Sequence, residues 1–170
     1  VFCKASNVSF NDAKTLGFQA KDVGLAGNDI VFGVGPDHIG ALHVKTGKSV
    51  HFEGELPIQR FCPVYINHGE LLLFGGDYYS DECVAVKDVY KIKLEGDIFT
   101  NHKLMNMPYS TLNASIHPIS NGFGDKLFIC GGWSNKTNLT NCYLYVVYGQ
   151  KWTKLEDMKY GHQWAGICEW

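Results

Sequence analysis

The residues of this chain best able to do chemistry are seven histidines and six cysteines: His38, His43, His51, His68, His102, His117 and His162, and Cys3, Cys62, Cys83, Cys130, Cys142 and Cys168. A zinc protease would carry two histidines as HExxH on one helix, and a structural zinc or redox site would carry CxxC. Neither spacing occurs. His43 and His51 fall in neighbouring predicted strands of one hairpin and could approach each other, but strand histidines facing solvent are far commoner than metal sites. Cys62 and His68 share one predicted strand and stand about 20 Å apart when it is extended, too far for a dyad. There is no GxSxG elbow to raise a nucleophilic serine. Gly33-Val34-Gly35-Pro36-Asp37-His38-Ile39-Gly40 has glycines suited to a phosphate loop. It lacks the GxGxxG and GxxxxGK[ST] spacings, and a strand rather than a helix follows it. Paired carboxylates such as Asp81-Glu82 read as a solvated loop. These residues give no catalytic centre, no metal site and no cofactor.

The elements that would position any site come from composition and pattern. The chain has 170 residues, 45% of them hydrophobic and 19% charged, enough apolar material for a packed core. Lys+Arg 15 against Asp+Glu 17 gives a net charge of −2, with no broad basic field for nucleic acid. The clean apolar runs, Leu71 to Phe74 and Leu127 to Cys130, are strand-sized and far short of a membrane span. Asn-X-Ser/Thr sequons stand at Asn7, Asn113, Asn135 and Asn138. With 11 Asn, and 15 Ser or Thr, chance predicts about one. Together with an even cysteine count, which permits disulfides of undetermined connectivity, the sequons point to an extracellular or secretory glycoprotein. Val1 opens no charged and apolar leader, as expected of a mature or excised chain.

Two segments repeat. Leu71-Leu72-Leu73-Phe74-Gly75-Gly76 is matched by Leu127-Phe128-Ile129-Cys130-Gly131-Gly132. Downstream, Asp88-Val89-Tyr90 matches Asn141-Cys142-Tyr143, and nine residues after each tyrosine comes Phe99-Thr100 or Trp152-Thr153. Each copy closes with Leu and Met, at Leu104 and Met107 and at Leu155 and Met158. A degenerate copy precedes them: Asp29 to Val34, a strand from Ala41 to Thr46, a turn at Gly47, and Val50 at the aromatic position. Turn glycines recur at Gly47, Gly96 and Gly149. Further strands are predicted at Phe18 to Leu25, Arg60 to Asn67, Thr111 to Ile119 and His162 to Cys168. Four antiparallel strands repeated at about fifty residues describe propeller blades.

A Gly pair after an apolar strand, then Tyr, Trp, Leu and Met at these intervals, resembles the Kelch repeat. The match is best over Gly131-Gly132…Tyr143…Trp152, fair over Gly75-Gly76…Tyr90…Phe99, and poorest upstream, where the Gly pair, Tyr and Trp are missing. The expected fold is all-β, with about three four-stranded Kelch-like blades and a partial one. Its segments would be 1–17 (an N-terminal segment, the end of a preceding blade), 18–57 (a degenerate blade), 58–108 and 109–158 (Kelch-like blades), and 159–170 (the first strand of a further blade). A ring of three and a half blades does not close, so further blades or another chain should complete it.

The repeated residues have structural duties. The glycines let a neighbouring chain approach, and Phe99 and Trp152 fill the wedge between sheets. Binding belongs to the face that carries the loops of variable length. The Gly-to-Tyr interval is 14 residues in one copy and 11 in the next. The candidates there are Asp77, Tyr78, Tyr79, Asp81 and Glu82 in one loop, and Trp133 and Asn135 in the other. A glycan on Asn135 would compete with that role. The resemblance implies a non-catalytic module that binds a protein partner of unknown identity. An intracellular module recruiting substrates to cullin-type ubiquitin ligases is one alternative. A propeller enzyme such as a copper oxidase similar to galactose oxidase, which carries such blades, is the other, although the Tyr-Cys crosslink and two His of that family are not mapped onto this chain.

Overall fold

A computed structural model of the chain describes residues 30–34, 38–43, 47, 49–67, 70–78, 83–95, 98–119 and 126–167. The segment 1–17 and the strand expected at Phe18 to Leu25 lie outside them. Among the described residues all regular structure is β. The first blade contains β1 (Ile30–Val34), β2 (His38–His43) and β3 (Ser49–Glu53), paired antiparallel in that order. The second contains β4 (Cys62–Asn67), β5 (Glu70–Phe74), β6 (Val89–Glu95) and β7 (Ile98–Lys103), each antiparallel to the next. The third contains β8 (Ser115–Ile119), β9 (Lys126–Cys130), β12 (Cys142–Val146) and β13 (Lys151–Lys154). A small hairpin, β10 (Trp133–Ser134) and β11 (Thr137–Asn138), is inserted between β9 and β12. The first two blades join at their outer edges through one parallel pair, Glu53 and Ile98.

Burial explains why β5 is apolar at consecutive positions rather than alternate ones: both of its faces are packed. Leu71 and Leu73 join Tyr90, Ile92 and Phe99 against Ile39, Ala41, Val50 and Phe52 of the first blade. Leu72 and Phe74 turn the other way, onto Leu127, Ile129 and Tyr145 of the third. Phe99 is buried, and its ring occupies the space that a β-carbon on Gly54 would need. Trp152 meets Phe74 edge-on at 6.0 Å and lies 4.4 Å from the Tyr145 ring. Truncating such a fully buried aromatic as Phe74 costs about 3–5 kcal/mol.

The segments linking blades cross the ends of the strands, and the Gly pairs make room for them. A β-carbon on Gly75 would lie 2.3 Å from the Thr111 carbonyl oxygen, and one on Gly131 would lie 2.5 Å from that of His162. Gly76 and Gly132 admit the preceding crossing, at the Gln59 and Leu112 carbonyls respectively. The hydrogen bonds repeat with the sequence. Gly76 N–H donates to Thr111 O as Gly132 N–H donates to His162 O, and Met107 N–H donates to Lys87 O as Met158 N–H donates to Thr140 O. Leu104 N–H donates to Val89 O as Leu155 N–H donates to Cys142 O. The closing Leu and Met residues therefore also fasten the crossing to the loop.

These crossings shorten the expected strands. β4 begins at Cys62 rather than Arg60, and β8 at Ser115 rather than Thr111, because residues 59–61 and 111–114 are held by the crossing bonds. The described part of His162 to Cys168 is irregular and follows the same path. In the β12–β13 turn the left-handed residue is Gln150 (φ 47°), not Gly149, because the turn closes one position later than the glycine.

Two glycine substitutions separate the roles. Gly132→Ala sets a β-carbon against Thr111 Oγ1 and Leu112 O at φ 98°, and should lower unfolding free energy by roughly 2 kcal/mol or more. Gly149→Ala, with only Val146 Cγ1 at 3.9 Å, should change it by less than about 0.5 kcal/mol. Denaturant titration of both variants checks this.

Candidate functional site

Among the described residues, the two ends of the loop from β5 to β6, the loop from β9 to β12 and the crossings that follow β3, β7 and β13 meet on one face. Backbone bridges join Gln59 to Asp77 and Leu112 to Trp133. Successive crossings are tied to one another at equivalent residues. Asn113 N–H donates to Arg60 O at 3.3 Å, and Trp164 N–H donates to Asn113 O at 3.2 Å. All three residues are left-handed, at φ 53°, 52° and 58° for Arg60, Asn113 and Trp164. Their side chains therefore occupy equivalent places along the loop face, one per blade junction. Trp164 is 71% exposed, a large apolar surface on a fixed backbone.

Arg60 is the charged member of this row. One guanidinium nitrogen lies 3.3 Å from Asp77 Oδ2 and 2.6 Å from Cys83 Sγ. The Cys83 contact, with the Asp77 charge beside it, raises the Arg60 pKa further, so the cation is permanent. Asp77 itself is fully buried and cannot meet a partner directly. This corrects its place among the expected contact residues: the bridge to Gln59 takes its backbone inside, and its carboxylate orients Arg60.

A second cluster fastens the β5–β6 loop. Asp88 Oδ2 accepts from Tyr78 OH at 2.6 Å, Lys103 Nζ at 2.7 Å and Tyr90 OH at 3.3 Å. Burial pushes the Asp88 carboxyl up, but the Lys103, Tyr78 and Tyr90 donors outweigh it and hold the group below its ordinary 3.8. Tyr78 thus has its hydroxyl tied down while its ring stays 47% exposed, a pre-ordered aromatic of the kind that anchors interfaces. The third blade has Asn141 where the second has Asp88. There Tyr143 stacks on Tyr109 at 5.4 Å and lies under Lys154 Nζ at 4.7 Å.

Of the other expected contact residues, Tyr79, Asp81 and Glu82 lie outside the described residues. Trp133 is half-buried, with its backbone paired to Leu112. Asn135 is exposed at the tip of the β10–β11 turn, where Asn135 and Lys136 both have positive φ, at 48° and 64°. That is the hairpin turn for which Asn is favoured. Among the sequons, Asn135 and Asn138 are exposed and Asn113 is half-buried, while Asn7 lies outside the described residues. Sequence reasoning missed Arg60, Cys83 and Trp164. A signal was present: positions 60, 113 and 164 recur at about the fifty-residue spacing of the repeat.

The chemical suspects are dispersed. His51 stands opposite Gly40 in the β2–β3 register, so it does not pair with His43. Cys62 is buried, its thiol donating to Ala114 O, and burial pushes its pKa up to about 12. Among the described residues no group of three His, Cys, Asp or Glu is placed to hold a metal. A depression of about 350 Å³ on the second blade is lined by Glu70, Lys91, Lys93, Thr100 and His102. The Glu70–Lys91 ion pair, at 2.6 Å, lies within it.

The fold and this face define a set of β-propeller blades whose loops are held by the blade junctions. Residues 121–159 match the family model of the Kelch motif. The chain therefore carries a Kelch repeat, and the resemblance drawn from Gly131-Gly132, Tyr143 and Trp152 holds. No curated protein matches the chain.

The Asp88 cluster gives a pH test. Its folded pKa is depressed, so it contributes stability that is present above the ordinary carboxylate value and is lost as pH falls below about 4. Lys103, raised above its ordinary 10.5 by the Asp88 contact, contributes stability below that pH and loses it at higher alkalinity. Asp88→Asn should flatten both limbs of the stability profile between pH 2 and pH 11 (approximate limits) relative to the parent chain. Thermal melts across that range check it.

Proposed function

We propose that this chain is a non-catalytic protein-binding module, displayed outside the cell or within the secretory pathway, and that it binds through the loop face. One observation carries the reading: the row of Arg60, Asn113 and Trp164, fixed by hydrogen bonds between successive crossings, beside the anchored ring of Tyr78. A Kelch motif suggests a role in protein interaction. Arg, Trp and Tyr are the residue types that dominate binding energy at protein interfaces. The exposed sequons at Asn135 and Asn138 support passage through the secretory pathway.

The blades belong to a larger propeller. In the third blade, Phe128, Leu144 and Val146 take the places that Leu72, Lys91 and Lys93 take in the second, and all three are half-exposed. A further blade on that face would bury them as the third blade buries Leu72.

Photo-crosslinking amino acids at position 78 or 164 should trap one defined partner, competed away by excess unlabelled chain. The same group at Tyr148, exposed on the opposite turn, should trap none. Equal trapping from 148 would contradict the assignment of the face. Intact mass before and after glycosidase tests the compartment. An unmodified chain recovered from secreting cells would move the module inside the cell.

A further inference from the structure

Cys130 and Cys142 are direct cross-strand partners on β9 and β12, and both are buried. The hydrogen bonds around them define the kind of pair. Gly131 N–H donates to Asn141 O at 2.9 Å, one residue beyond the pair on each strand. That pattern marks a non-hydrogen-bonded pair, in which opposed Cα atoms approach to about 4.5 Å and side chains are closest. This lies within the Cα range of disulfides, about 4.4–6.8 Å. In the structure both are free thiols, the Cys142 thiol donating to Thr140 O at 3.6 Å. The internal repeat sharpens the point. The same pair in the second blade is Phe74 opposite Val89, two apolar side chains packed in the core. The third blade replaces both partners together by cysteine.

We propose that Cys130 and Cys142 form a cross-strand disulfide that closes the base of the 131–141 loop. The loop so closed carries Trp133, the Asn135 turn and both exposed sequons, so the bond would fix the third blade's contribution to the loop face. The expectation that the bond forms in the cell rests on the secretory reading; the pairing itself rests on the strand register. In the reaction, the thiolate of one cysteine attacks a sulfur of a small disulfide such as oxidised glutathione and expels one glutathione thiolate. The other cysteine, once deprotonated, attacks the protein-bound sulfur of the mixed disulfide and expels the second thiolate. Two protons leave the protein, and the oxidant gains two electrons as two thiols. Burial pushes the Cys130 thiol up to about 11 and raises Cys142 as well. Buried thiols are slow nucleophiles, so the bond should form while the chain folds and resist reduction afterwards.

The full chain, refolded from denaturant in a reduced and oxidised glutathione buffer, is alkylated with iodoacetamide and proteolysed without reduction. The expected product is a peptide pair joining Cys130 to Cys142 that disappears on reduction, with an intact mass about 2 Da lower for the bond. Alkylation of both residues in refolded chain, or pairing of either with another cysteine, would overturn the proposal. Fold is monitored by circular dichroism, and a Cys130→Val/Cys142→Val variant, restoring the apolar pair of the second blade, should refold without the crosslinked peptide. Chain from secreting cells separates the two readings. A glycan at Asn135 or Asn138 with Cys130 and Cys142 still alkylated would overturn the disulfide and leave the secretory reading standing. Absence of glycan, with the crosslink formed on refolding, would support the pairing and overturn the compartment.

Discussion

A crossing segment can bind the end of a neighbouring strand pair only if nothing projects from the backbone there, and this clearance governs the described structure. At Gly132 a β-carbon would fall 1.8 Å from Thr111 Oγ1 and 2.6 Å from Leu112 O. With hydrogen in its place, the crossing that leaves the second blade pairs Leu112 with Trp133, and the one that leaves the third gives His162 O to Gly132 N–H. Each Gly pair thus receives two crossings, one on each glycine. The spacing of the blades, the wedge filled by Phe99 or Trp152, and the row of Arg60, Asn113 and Trp164 all follow from that arrangement. Were the glycines replaced, the crossings would have to lift away and the loops they carry would lose their common face.

This makes the loop face an extension of the core rather than a set of independent loops. Tyr78 is held by Asp88, which is itself two residues from the buried Tyr90. Arg60 is aimed by Asp77, next to the Gly pair of the second blade. A partner that meets these side chains finds them already ordered, so little conformational entropy is lost on binding. The bond inferred between Cys130 and Cys142 would bring the same order to the base of the third blade's loop, where Asn141 replaces the carboxylate that anchors the second.

Much of the fold was legible because the repeat obeys local rules. Apolar runs ending in Gly pairs, tyrosines at a fixed distance and the aromatic nine residues later were enough to place β5, β6, β7, β9, β12 and β13. What escaped was whatever depends on the neighbouring blade. The first residues of the expected strands at Arg60 and Thr111 look extended in sequence, yet interblade hydrogen bonds claim them. Asp77 looks like a loop carboxylate, but the bridge to Gln59 draws it inside. Arg60 and Trp164 carry no local motif, and only their period, seen after the crossings were known, marks them as equivalent. The β10–β11 hairpin was hidden by its two-residue strands, although Asn135 at its tip is a usual turn signal.

Native-state hydrogen exchange at the crossing amides is the most direct test of this account. The amides of Gly76, Gly132 and Asn113 should exchange only through the opening that releases β5 and β9, with protection matching Leu72 and Ile129. Exchange as fast as in the exposed turn at Tyr148 and Gly149 would show that the crossings are not held by the strands, and would contradict the claim that the core fixes the loop face.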